Sequence, residues 1–253
     1  METIKMKFVN YAQFRDMEVP LRGVTVFTGD NGVGLREAWQ GLTHWAHGEC
    51  DQGDWRDSDV RLVNPERGST YVSVGTAKSE IVPVDGYTGH KVVNFEPTGP
   101  FPFKEIIWSE SLVGEDGPVI SLVNESLATR DHSRELFVVL WPENGLSERY
   151  QYLMGQRIAR CASVIRTLVV TYSSHIIQGV VKACVGGQLG LSCEDAGFVY
   201  FFKDASDPPM TSSVELRVDS HGTFSDYPEG FLDQTTLELL EDWRWPNAAG
   251  ERK

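Results

Sequence analysis

Alternation of apolar and polar residues is clearest near the start of the chain. Ile4-Lys5-Met6-Lys7-Phe8-Val9 repeats with period two, as does the shorter Met17-Glu18-Val19, and both read as strands. The apolar run Val24-Thr25-Val26-Phe27-Thr28 reads as a further strand and stops at Gly29. Beyond it the period changes. Leu35, Ala38, Trp39, Leu42 and Ala46 recur at three- and four-residue steps and predict a helix over 35–46.

Downstream, Thr70 to Val74, Glu80 to Val84 and Lys91 to Phe95 predict short strands of an antiparallel flap, broken by Pro97, Pro100 and Pro102, which lack backbone donors. Leu136 to Leu140 predicts a buried strand. A helix is predicted from Ser147 to Ser163, with Ser147 as N-cap and Tyr150, Leu153, Met154, Ile158 and Cys161 as its apolar stripe. Val164 to Val170 predicts another strand, and Ser173 to Ala183 a helix closed by Gly186-Gly187. There is no internal repeat and no low-complexity segment.

At 253 residues the chain has room for one large α/β domain, or for a domain with a small appendage. Its net charge of −13 opposes extended contact with nucleic-acid phosphates. No run approaches the length of an apolar membrane span, and the start of the chain, with Glu2 and Lys5, lacks the apolar core of a signal peptide. A soluble, cytoplasmic protein is expected. Cys50, Cys161, Cys184 and Cys193 show no C-x-x-C pair, so neither a disulfide framework nor a thiolate zinc site is indicated.

The segment Gly29-Asp30-Asn31-Gly32-Val33-Gly34-Leu35-Arg36 has the glycine spacing of a phosphate-binding loop between a strand and a helix. In a working loop, backbone N–H groups cradle the phosphates, a lysine neutralises them and a Ser or Thr hydroxyl holds Mg²⁺. Here Leu35 stands in the lysine position and Arg36 in the hydroxyl position. Hydrolysis of Mg·ATP is expected to be lost.

With these features the chain resembles the ABC-type ATPase heads of the prokaryotic SMC-like and overcoming-lysogeny-defect-like ATPases. The matching residues are Asn10-Tyr11-Ala12-Gln13-Phe14-Arg15-Asp16 and Leu21 through Gly34. Leu136 to Leu146 is similar to that group's Walker B strand and P-E-x-x-L loop: Pro142, Glu143 and Leu146 match, while Leu140 occupies the acidic position that helps hold Mg²⁺ and Trp141 the position of the general base. Leu168 to His175 is similar to its strand ending in T-H-S-x-H, with Tyr172 at the histidine that contacts the γ-phosphate and His175 at the second histidine. No S-G-G-type signature lies between the loop and Leu136. Phe198 to Phe202, Val214 to Asp219 and Tyr227 to Gln234 resemble the small β-rich C-terminal module of one branch of the group.

The resemblance implies an α/β, ABC-ATPase-like P-loop fold with a mixed central sheet, flanking helices and an antiparallel β flap. It further implies a degenerate ATPase-like domain over residues 1–195 and a small β-rich module over 196–253 packed on it. The vestigial nucleotide site comprises Gly29, Asn31, Gly32, Gly34, Leu35 and Arg36, and the vestigial Walker B and switch positions are Leu140, Trp141, Glu143 and Tyr172. No catalytic residue, metal or cofactor is expected, nor ATP binding. Large rings at Trp141 and Tyr172 would fill space once lined by water and polar groups.

The function expected is a catalytically inactive subunit that works as a protein-binding scaffold or regulator. Its partner would be an active ATPase of the same group in a prokaryotic anti-phage defence or DNA-surveillance complex, a hetero-oligomer rather than a homodimer, with no direct nucleic-acid or membrane contact. The alternative is a metal-independent nucleotide sensor in which Gly32, Gly34 and the helix N-terminus hold a phosphate and Arg36 supplies the charge. An unconventional enzyme is disfavoured, because no convergent carboxylates or nucleophile with an adjacent base stand out.

Three further features have two readings. His44, His47 and Cys50 have metal-compatible spacing but no fourth ligand, which favours structural or surface roles. Asp51, Asp54, Asp57 and Asp59 around Trp55 suit a solvated loop, or a mimic of phosphate charge facing a basic partner. Trp243 and Trp245 suit an interface or packing on their own domain.

Overall fold

The computed structural model describes residues 3–11, 13–39, 70–75, 77–83, 92–98, 103, 105–109, 135–187, 191–206, 209–226, 228 and 231. The strands in chain order are β1 (Ile4–Tyr11), β2 (Phe14–Leu21), β3 (Val24–Gly29), β4 (Thr70–Val74), β5 (Ala77–Pro83) and β6 (Val92–Thr98), then β7 (Glu105–Ser109), β8 (Glu135–Leu140), β9 (Arg166–Val170), β10 (Ala196–Lys203) and β11 (Thr211–Leu216). Helix α1 begins at residue 35 and is described to 39. Helices α2 (Glu148–Ala162) and α3 (Ser174–Gly186) follow β8 and β9.

All these strands join one mixed sheet in the order β6-β5-β4-β1-β2-β11-β10-β3-β9-β8-β7. β10, β3, β9, β8 and β7 run parallel. β6, β5, β4, β1 and β2 form the antiparallel flap. The central strands are buried on both faces, which explains why β3 and β8 read as continuous apolar runs. Along β8, Leu136, Val138 and Leu140 enter one core and Phe137 and Val139 the other, as the two-residue period requires. The first core includes Leu35 and Ala38 of α1, and the second is closed by α2 and α3. The sheet therefore has helices on both faces, an α/β architecture.

Several expectations change in detail. β10 begins at Ala196, where the C-terminal module was expected to start, yet it lies inside the sheet beside β3, and β11 adjoins β2 through Thr211 and Phe14. β6 runs through Pro97 to Thr98 instead of breaking there; it is the edge strand, where a missing N–H leaves a neighbour unsatisfied least often. β7 lies where no strand is predicted from the sequence, although Ile106-Ile107-Trp108 is a short apolar run. In α2, Met154, Ile158 and Cys161 are buried as expected, but Tyr150 and Leu153 are exposed. Ser147 is the N-cap residue of α2, although its side chain makes no capping bond. In α3 the cap is complete: Ser173 Oγ accepts from Ile176 N at 3.2 Å, and Gly187 closes the helix at φ 58°.

Candidate functional site around the glycine loop

β3 ends at Gly29, and residues 30–34 turn the chain into α1. Because β10, β9 and β8 run parallel to β3, the segments leaving all four strands emerge at the same edge of the sheet. That edge is where open parallel sheets build binding sites. It brings Gly29–Arg36, Leu140–Glu143, Thr171–Tyr172 and Lys203 to one end of the molecule.

Two loop glycines have packing reasons that require no phosphate. A Cβ on Gly29 would overlap the Phe201 carbonyl oxygen of β10. Gly34 has φ 94°, and the Gln13 side-chain amide lies directly over it. Gln13 Oε1 accepts from Lys203 Nζ, which also donates to Thr211 Oγ1 at 3.1 Å. The Thr211 hydroxyl in turn donates to the Val33 carbonyl at 2.7 Å. On the other side of the loop, Tyr200 OH donates to Asp30 Oδ1 at 2.7 Å. Gly32 differs: it has φ 79° and open space where a Cβ would be. Asn31 and Arg36 are exposed.

Of the substituted positions, Leu35, Leu140 and Trp141 turn their side chains into apolar packing. Leu35 is 1% exposed and belongs to the same core as Phe27, Leu140 and Val170. Trp141 follows β8 with φ 46°, a left-handed conformation rare for a bulky residue. Its N–H donates to the Val170 carbonyl at 2.8 Å, and its ring meets that of Trp39 edge-on with centroids 6.3 Å apart. The aromatic pair joins the helix after the loop to the end of β8.

Glu143 is held by its neighbours. Its Oε2 accepts from Thr171 Oγ1 at 2.7 Å and its Oε1 from Tyr172 N at 2.9 Å. Tyr172 is 45% exposed, so of the two aromatic replacements only Trp141 packs inward. Partial burial raises the Tyr172 phenol above its ordinary pKa, with the Glu37 and Glu143 carboxylates adding to the effect. Partial burial also lowers the Lys203 ammonium, against the opposing pull of Glu37 and Asp204. The Glu37 charge thus acts on groups at the ends of both β9 and β10. His175 lies in the first turn of α3, with Nε2 3.8 Å from Glu148 Oε2.

Gln13, Thr171, Lys203 and Thr211 were not singled out from the sequence. Thr171 adjoins Tyr172 and was within reach of that reading; the others meet only through long-range pairing. Among the described residues no group of three or more His, Cys, Asp or Glu is arranged to hold a metal. His44, His47, Cys50, the acidic segment 51–59, Trp243 and Trp245 lie outside the described residues.

Residues 191–241 match a family described as "Protein of unknown function (DUF3696)". Among curated proteins none matches the sequence. The structure is similar to the SMC head domain from Thermotoga maritima, at 12% identity and a TM-score of 0.49, covering 87% of this chain and 100% of that one. It is also similar to the recombination mediator protein RecF-ATPrS of the RecFOR pathway, at 14% identity and a TM-score of 0.26, covering 64% of this chain and 51% of that one.

Proposed function

We propose that this chain is a catalytically inactive ABC-ATPase-like subunit that serves as a protein-binding scaffold or regulator. Its partner is an active ATPase of the same group, in a prokaryotic anti-phage defence or DNA-surveillance complex. The observation that carries the reading is the contact between Trp39 and Trp141. An indole stands where the resemblance calls for the general base, and it is packed against the helix that follows the glycine loop. The burial of Leu35 and Leu140 supports the same conclusion, because neither position offers a charge to phosphate or Mg²⁺.

Two measurements test it together. The purified chain incubated with Mg·ATP is expected to release no phosphate above background, and to co-migrate at micromolar concentration with the product of the adjacent gene. Turnover abolished by Glu143→Gln would overturn the inactive assignment, and failure to co-migrate would overturn the scaffold role.

A second reading, a metal-independent nucleotide sensor, is favoured by the open space at Gly32 and the exposed guanidinium of Arg36. Calorimetry with ATP, ADP and GTP, with and without Mg²⁺, separates the two readings. The sensor requires binding that is indifferent to the metal and weakened by Arg36→Ala.

A further inference from the structure

Among the described residues the exposed large apolar side chains are Tyr150 at 61%, Leu153 at 36% and Tyr172 at 45%. Tyr150 and Leu153 are on α2, whose opposite side takes the chain after β9: Ser173 Oγ donates to Gln151 Oε1 at 2.6 Å, and His175 Nε2 lies 3.8 Å from Glu148 Oε2.

The outer face of α2 has an unusual composition. At about 100° per residue, Arg149, Tyr150, Leu153, Arg157 and Arg160 fall within an arc of about 100° and extend along about 16 Å of the axis. All five are exposed, and the arc holds no acidic residue. None of the three arginines is ion-paired among the described residues. The chain as a whole carries 36 acidic against 23 basic residues, so this row of unpaired cations runs against its prevailing charge.

We propose that the outer face of α2 docks an acidic amphipathic segment of a partner protein. Its carboxylates meet Arg149, Arg157 and Arg160, and its apolar side chains cover Tyr150 and Leu153. The guanidinium fork suits paired carboxylate oxygens, and Arg and Tyr are the residue types enriched where interfaces concentrate their binding energy. A protein segment fits better than nucleic acid, because Tyr150 and Leu153 offer apolar area that phosphates do not use. The proposal rests on the scaffold reading and names the surface and the chemistry it selects.

The full-length chain is titrated by fluorescence anisotropy with three probes. These are a labelled synthetic Leu/Glu helix with its leucines on one face, a scrambled isomer of the same composition, and single-stranded DNA. The patterned helix is expected to bind about tenfold tighter than the isomer. Arg157→Glu with Arg160→Glu is expected to weaken it about tenfold, and Leu153→Ser several-fold, with thermal unfolding unchanged because all these positions are exposed. Should the charge-reversed pair unfold early, Arg149→Glu tests the same arc. Equal binding of patterned and scrambled peptides would overturn the proposal. So would indifference to charge reversal, or DNA binding that displaces the peptide and is lost on the same reversals. If the adjacent gene's product still co-migrates with the charge-reversed chain, this surface is excluded while the scaffold reading stands. If wild-type chain binds the patterned helix but not the adjacent gene's product, the scaffold reading fails instead.

Discussion

Gly155 of α2 and Gly179 of α3 meet with no side chain between them. A Cβ on Gly155 would sit 3.0 Å from Gly179 Cα and overlap the Ile176 carbonyl oxygen, and a Cβ on Gly179 would overlap the Tyr152 carbonyl oxygen. The obstacles are backbone atoms, which yield only if the helices separate. Gly155→Ala is therefore expected to destabilise the fold by about 1–3 kcal/mol, despite the higher helix propensity of alanine. Gly179→Ala should act similarly. In urea unfolding the double variant should lose less than the sum of the single losses, because both report on one helix crossing.

At Gly34 the cost has a different origin. The atom a new Cβ would meet is the mobile end of Gln13, which can swing aside, whereas φ 94° is set by the turn. Gly34→Ala is expected to cost about 1–2 kcal/mol from backbone strain. Adding Gln13→Ala should recover little of it. Full recovery in the double variant would show that contact with Gln13, not the backbone, sets the cost.

The Thr171 hydroxyl and the Tyr172 amide share the Glu143 carboxylate. Thr171→Val keeps the shape but removes one charge-assisted donor, and is expected to lower stability by about 1.5–3 kcal/mol in chemical denaturation. Thr171→Ser, which retains the hydroxyl, should lose less.

Restoring the loop signature alone should not restore chemistry. Leu35→Lys with Arg36→Ser supplies the missing lysine and hydroxyl, yet Leu140 is buried and apolar and Trp141 is packed on Trp39, so Mg²⁺ still lacks a carboxylate from β8. A phosphate-release assay should show no gain. The lysine also enters a position 1% exposed, so a lower melting temperature is expected.

Burial pushes the Cys161 and Cys184 thiols up to about 12 from 9.0. Between those values the folded chain keeps protons that the unfolded chain releases, so the stability these thiols contribute is complete below pH 9 and is lost as pH rises toward 12. Each thiol steepens the alkaline loss by up to about 1.4 kcal/mol per pH unit. Cys161→Ala and Cys184→Ala should flatten the decline in urea midpoint above pH 9 relative to wild type.

The elements legible in the sequence were those whose residues report their own surroundings. β3 and β8 are buried on both faces and read as unbroken apolar runs, and α3 has Ser173 before it and Gly187 after it. The face of α2 was harder to read because small residues decide it. Gly155, Ala159 and Ala162 lie on the buried side, where they let α3 approach, and they add little to an apolar stripe. A reading weighted by large side chains rotated the helix toward Tyr150 and Leu153. At the site, the substitutions at Leu35, Leu140, Trp141 and Tyr172 stood out because each departs from a motif. The clasp of Gln13, Lys203 and Thr211 did not, since it joins a turn between the first two strands to the last two. No local period reports which distant strand will become a neighbour.

The position of β10 affects how the protein is assembled during synthesis. The strand leading into the glycine loop is made early, but its two flanking strands, β9 and β10, come from residues 166–170 and 196–203. On a ribosome, β1 and β2 can pair at once, whereas β3 must wait with both edges bare until almost the whole sheet has emerged. Chains interrupted before residue 196 would therefore expose an apolar edge at the centre of the sheet, the kind of edge that recruits other chains into aggregates.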